Sequence, residues 1–121
     1  NQYSGYLNIT SEKEFHYTFV ESQNDPANDP ILFWFNGGPG CSSMIGFIQE
    51  LGPCVFMEDS HHAPSDNPHS WNNFANVVFL ESPAGVGYNN FFGEFSYDDE
   101  NVSYENLIAV QEFFASYPEF Q

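Results

Sequence analysis

The chain has 121 residues, of which 17 are acidic and one, Lys13, is basic, giving a formal charge of −16. A surface so short of cations argues against nucleic acid and anionic membranes as partners, because phosphates are held by Lys and Arg. Fourteen Phe among 41% apolar residues supply enough material for one core, while no apolar run reaches the roughly 20 residues that cross a bilayer.

In chain order, residues 3–9 and 15–20 alternate apolar and polar around a polar turn at 10–13, the pattern of a two-stranded hairpin. Residues 22–30 are rich in Asn, Asp and Pro and read as a loop. The unbroken apolar run 31–35 fits a strand covered on both faces. A short helix is expected over 43–51, with Ile45, Phe47, Ile48 and Leu51 turned inward and Gly52-Pro53 as its stop. Residues 54–57 suit an edge strand and 58–70 a polar surface excursion; 77–80 form a second buried strand closed by Ser82-Pro83. After a loop over 89–100, a last helix is expected over 103–117. Acidic residues lie near its positive end, and Leu107, Ile108, Val110, Phe113, Phe114 and Tyr117 form its apolar stripe. A hairpin, buried strands and intervening helices indicate an α/β fold with a mixed sheet.

The segment Trp34-Phe35-Asn36-Gly37-Gly38-Pro39-Gly40-Cys41-Ser42-Ser43 carries the chemistry. Three glycines and a proline within four positions form a turn whose backbone N–H groups stay free to face a ligand, and Ser42-Ser43 offers a helix cap behind it. Free amides where a strand hands over to a helix suit an anion or a developing oxyanion. Other clusters are weaker. His61-His62 with Asp59 and Asp66 lacks a firm third ligand at metal spacing, so no metal or cofactor is expected. His16 and Trp71 read as structural, and His69 has no catalytic context. The two cysteines allow one bridge, Cys41–Cys54, or two bridges to partners beyond the chain. The sequons at Asn8 and Asn101 fit a secretory route. The acidic charge fits an acidic compartment and, equally, simple maintenance of solubility.

The glycine segment resembles the oxyanion-hole loop of the serine carboxypeptidases, the peptidase branch of the α/β-hydrolase fold. Tyr3-Ser4-Gly5-Tyr6-Leu7, the block from Phe15 to Ser22, Glu50-Leu51-Gly52-Pro53, Asn67-Pro68-His69-Ser70-Trp71-Asn72, and the block from Phe79 to Tyr88 follow in family order. The resemblance implies that residues 1–121 are the N-terminal portion of a single α/β-hydrolase domain: a hairpin plus the start of a mixed, mainly parallel central sheet with flanking helices. It implies a secreted, lysosomal or vacuolar enzyme that releases C-terminal residues from peptides through an acyl-enzyme.

By the same resemblance the Gly38 amide is one oxyanion donor. The Asn36 side chain and the Gly37 amide hold the substrate carboxylate, supported by Glu50 through a second, protonated glutamic acid beyond this chain. Two adjacent carboxyls cannot easily both ionise, so one remains a donor. Trp34 lines the substrate pocket, or serves only as a core aromatic. Cys41 pairs with a cysteine farther downstream, while Cys54 has no family counterpart.

No Gly-x-Ser-x-Gly elbow occurs in the 121 residues, and Ser42 and Ser43 read as caps rather than nucleophiles. The chain is therefore expected to be inactive alone, as a piece of a longer enzyme. An acyltransferase on the same fold is the second reading, though its plant members tend to lack the asparagine seen at Asn36. A non-catalytic acidic glycoprotein is the third. An isolated chain of this kind is expected to expose an apolar sheet edge at 31–35 or 77–80 and to be aggregation-prone or molten.

Overall fold

The computed structural model describes residues 1–56, 63–93 and 97–121. The expected hairpin forms: strand β1 (Gln2–Thr10) pairs antiparallel with β2 (Lys13–Val20), with Tyr3 opposite Phe19 and Leu7 opposite Phe15. The chain then runs through β3 (Ile31–Trp34), a π-helical segment (Gly46–Glu50), β4 (Cys54–Val55), β5 (Ser65–Asp66), β6 (Asn76–Leu80), β7 (Asn90–Phe91) and helix α1 (Asp99–Ser116). The main sheet is ordered β1-β2-β6-β3, with β7 added beside β2. β2 and β6 are antiparallel, whereas β3 and β6 are parallel, so the sheet is mixed.

Alternation along the strands sorts the side chains onto two faces. Ile31 and Phe33 of β3, Val78 and Leu80 of β6, and Phe15, Tyr17 and Phe19 of β2 pack with Ala109 and Phe113 of α1. Leu32, Trp34, Val77 and Phe79 point the other way, where Phe47, Leu51 and Trp71 cover them. Phe113 is the centre of the first layer, edge-on to Tyr17, Phe19 and Phe33 at 5.2–5.7 Å between ring centroids. Covered on both faces, β6 is buried along its whole length.

Several expectations are corrected. Helix α1 starts four residues before residue 103, because Asp98 caps it: its Oδ1 accepts from the Asn101 amide at 2.8 Å, and Asp99 and Glu100 occupy the positive first turn. Leu107 leaves the apolar stripe and is 52% exposed. It lies two residues, some 200° of turn, from Ala109 and so on the opposite side from the buried line Ala109–Phe113. The short helix is wound wider than expected, with the Leu51 amide reaching the Gly46 carbonyl at 2.7 Å. Phe47 and Leu51 meet the sheet there, while Ile45 and Ile48 are half-buried outside that layer.

The polar stretch 58–70 contains a strand, since β4 and β5 form a separate two-stranded sheet. Of the two apolar edges expected, 77–80 is interior, and β3 is the outer strand of the main sheet among the described residues. Met57, Asp59, His61 and His62 lie outside the described residues, so the suggested edge strand ends at Val55 where it is described.

Candidate functional site

Because β3 and β6 are parallel neighbours, their carboxyl ends lie side by side, and the loops that leave them, 35–43 and 81–89, meet at one edge of the sheet. Ligands of open α/β sheets bind in this position. Ser43 ties the two loops: its hydroxyl donates to the Leu80 carbonyl at 2.6 Å and accepts the Asn36 amide at 3.0 Å. It is a tie between strands rather than the helix cap that the sequence suggests. Ser42 does not cap the π-helical segment either; its hydroxyl oxygen accepts the Met44 amide, two residues on, at 3.1 Å.

Asn36 is held with a defined orientation. Its Oδ1 accepts from Trp34 Nε1 at 2.7 Å and from the Gly46 amide at 3.3 Å. Both partners are obligate donors, so the oxygen end is fixed toward them and Nδ2 remains as the donating end. Trp34 thus orients Asn36 while packing edge-on against Trp71, at 5.5 Å between centroids, as part of the apolar layer on that face of the sheet.

Gly37 and Gly38 follow, both exposed. Gly38 has φ +138°, which L side chains rarely adopt, so glycine is required there by the backbone itself. The Gly37 carbonyl accepts the Cys41 amide at 3.2 Å and closes the turn. Neither the Gly37 nor the Gly38 N–H is taken up by another described residue. Asn36 Nδ2 and two successive amides therefore form a patch of donors with no cation in it.

Of the other predicted residues, Cys41 belongs to the turn itself, its amide bonded to the Gly37 carbonyl and its Sγ beside Gly38. Glu50 is exposed at the end of the π-helical segment, and its backbone carbonyl accepts from Asn67 Nδ2 at 3.2 Å. Cys41 and Cys54 are both exposed and unbridged, so the Cys41–Cys54 pairing does not form. Asn8 and Asn101 are exposed, and the Asn101 amide group donates to Asp98. Among the described residues no cluster of His, Cys, Asp or Glu is arranged to hold a metal; Asp59, His61 and His62 are outside them.

One residue of consequence has no role in the sequence reading: Glu81, directly after β6 and fully buried. One carboxylate oxygen accepts the Ser42 hydroxyl. The other faces His16 Nδ1 at 3.2 Å and accepts the Tyr88 amide at 2.6 Å. Burial pushes its pKa up, but the hydrogen bonds from His16, Ser42 and Tyr88 outweigh this and hold the carboxyl below the ordinary range. Gly87, with φ +55°, passes so close that a Cβ would fall on the carboxylate. The available signal was a charged residue set directly against four apolar strand residues. Glu81 anchors the far end of the glycine turn through Ser42, and His16 is structural as expected, through this carboxylate.

The family model of the serine carboxypeptidases matches residues 1–121, the whole chain. The chain belongs to the serine carboxypeptidase family. It is 47% identical over 122 residues to the lysosomal protective protein of Mus musculus, covering 99% of this chain and 25% of that protein. It is 49% identical over 123 residues to the vacuolar serine-type carboxypeptidase ATG42 of Saccharomyces cerevisiae, covering 97% and 22%. Among solved structures it superposes on Kex1(delta)p, a prohormone-processing carboxypeptidase from Saccharomyces cerevisiae. The TM-score is 0.82 at 25% identity, over 98% of this chain and 28% of that one. The chain thus spans about a quarter of the length of the relatives it matches.

Proposed function

We propose that residues 1–121 supply the oxyanion and carboxylate-recognition part of a single serine carboxypeptidase domain. The longer protein removes C-terminal residues from peptides through an acyl-enzyme in an acidic compartment of the secretory pathway, lysosome or vacuole. The observation that carries this reading is the set of donors: Asn36 Nδ2, left as the donating end because Trp34 and Gly46 hold Oδ1, followed in the chain by the amides of Gly37 and Gly38, which no other described residue takes up.

In the reaction the Asn36 side chain and the Gly37 amide donate to the free carboxylate of the substrate and place its last peptide bond. The Gly38 amide donates to the carbonyl oxygen as it gains charge in the tetrahedral intermediate. An oxyanion donor of this kind contributes about 3–4 kcal/mol to the transition state. The serine nucleophile and its base belong to the part of the domain outside these residues, so the 121-residue chain alone is inactive. Glu50 supports the carboxylate clamp from the end of its helix when the remaining part of the domain packs there. Cys41, exposed beside the turn, bridges to a cysteine in that part, and Asn8 and Asn101 carry glycans.

The test is Asn36→Ala in the whole protein, assayed on a blocked dipeptide and on the same dipeptide with its carboxylate amidated. Loss of one hydrogen bond to a charged group, about 1.5–3 kcal/mol, lowers kcat/KM on the free acid roughly 10- to 100-fold and much less on the amide. Equal losses on both substrates would refute the assignment of Asn36 to the carboxylate.

A further inference from the structure

Strand register lays out two neighbouring rows of side chains on the outer face of the hairpin. Tyr6, His16 and Tyr88 form the first. Tyr6 stands opposite His16 across β1 and β2, and His16 meets Tyr6 and Tyr88 edge-on at 5.5 Å and 5.3 Å between ring centroids. Asn8, Glu14 and Asn90 form the second, through the pairings Asn8–Glu14 and Glu14–Asn90 across β1, β2 and β7. Asn90 Nδ2 donates to Glu14 Oε2 at 3.0 Å, which ties that row at one end and leaves it open at Asn8. Tyr6 is 47% exposed and Tyr88 65%, so the aromatic row is a stretch of apolar surface without cover among the described residues.

We propose that the first N-acetylglucosamine of a glycan on Asn8 is that cover, lying with one face against the Tyr6 ring as a structural part of the hairpin. This role rests on the proposed glycosylation of Asn8 and adds what the sugar does once attached.

The attachment point and the ring share a face. From Tyr6 to Thr10 exposed and buried residues alternate, so the side chains of Tyr6 and Asn8 leave β1 on the same side, about 7 Å apart. A sugar joined to Asn8 spans that gap. The Asn8 side chain makes no hydrogen bond to another described residue, which leaves Nδ2 free to carry the sugar. Asn101 differs on both counts. Its side-chain amide donates to Asp98, and the residues two places to either side, Asp99 and Ser103, are not aromatic.

The backbone beside Asn8 is also set. The pairing of β1 with β2 slips by one residue between Asn8 and Thr10, a bulge, and Thr10 Oγ1 accepts the Glu12 amide at 3.2 Å in the turn that follows. A hollow of about 390 Å³ extends from Asn8 and Thr10 to Glu14 and Asn90, where sugar hydroxyls meet a carboxylate and an amide.

One face of a pyranose presents C–H bonds that are apolar and weakly positive, and the face of an aromatic ring is its negative side, so the two attract while the sugar hydroxyls stay in water. Because the sugar is covalently held, its local concentration at the ring is high and even a weak contact is occupied.

The experiment uses the whole protein secreted from a eukaryotic host. Peptide mass gives glycan occupancy at Asn8, and hydrogen exchange reads the amides of residues 2–20. Asn8→Gln removes the sugar and should speed exchange of these amides about fivefold, the scale of one ring contact. In a Tyr6→Thr background, which keeps strand preference, the same change should matter less than about twofold. Trimming the wild-type glycan enzymatically to its first sugar should leave protection within about twofold, because only that sugar touches the ring. Asn101→Gln and Tyr6→Thr should be additive.

A fivefold loss that persists without Tyr6 would overturn the contact, and so would no loss at all or a loss on trimming. Equal effects of Tyr6→Thr with and without the sugar would show that the rest of the domain covers the row, which also overturns it. An unmodified Asn8 in the peptide mass would instead overturn the glycosylation on which this role rests.

Discussion

Replacing Glu81 tests whether its buried carboxylate holds the two loops together. Glu81→Leu keeps the bulk and removes every acceptor, leaving the Tyr88 amide, the Ser42 hydroxyl and the His16 ring without their partner. A buried donor left unmet costs about 1–3 kcal/mol. Ser42 and His16 are half-buried and recover part of that by turning to water, so the expected loss is about 3–4 kcal/mol. Glu81→Gln is different. Its carbonyl oxygen replaces the one shared by Tyr88 and His16, and its amino group faces the Ser42 oxygen, so only the charge assistance is lost, about 1–2 kcal/mol.

The assay is chemical denaturation of the whole protein with each variant, repeated between pH 7 and pH 3. The Glu81 carboxyl is held below its ordinary value in the folded state. Its contribution is therefore complete above the unfolded value near pH 4.3 and is lost as pH falls through the lower folded value. The gap between wild type and Glu81→Gln should narrow below about pH 4.5. Equal losses for the Leu and Gln variants, or a gap that stays constant with pH, would refute the reasoning.

Three further outcomes follow from the packing. Phe113→Ala, at a fully buried ring centred among Tyr17, Phe19 and Phe33, should cost about 3–5 kcal/mol in denaturant melts. Asp98→Ala removes the cap of α1 and should cost about 1 kcal/mol, while Asp98→Asn should change stability little in the same measurement. The isolated 121-residue chain presents β3 as an outer strand with four half-buried apolar residues. Light scattering should show concentration-dependent association, and a monomeric chain with a sharp cooperative melt would count against it.

What the sequence reveals and what it hides divide by range. The apolar runs that become β3 and β6, the hairpin alternation and the glycine turn are local patterns, and each appears where expected. The start of α1 was hidden because Asp98, Asp99 and Glu100 read equally well as loop and as cap, and only the Asn101 amide decides between them. Leu107 was misplaced because an apolar residue at a helix edge is indistinguishable from one at its centre until the burial of Ala109 and Phe113 fixes the phase. Glu81 was invisible for a different reason: its partners His16 and Ser42 lie 65 and 39 residues away. In the candidate site, the residue types of the turn were legible, while the orientation of Asn36 and the double use of Ser43 depend on atoms from three separate segments.

The fastening of the glycine turn has a consequence for transplantation. Asn36 is gripped from before by Trp34, from behind by Gly46 and from across by Ser43, which in turn holds the end of β6. Moving residues 36–40 alone into another scaffold would carry the donors and leave every clasp behind. The smallest portable module is 34–46 together with a parallel neighbour strand that ends in a carbonyl placed like that of Leu80. A designer who borrows this turn borrows a corner of the sheet with it.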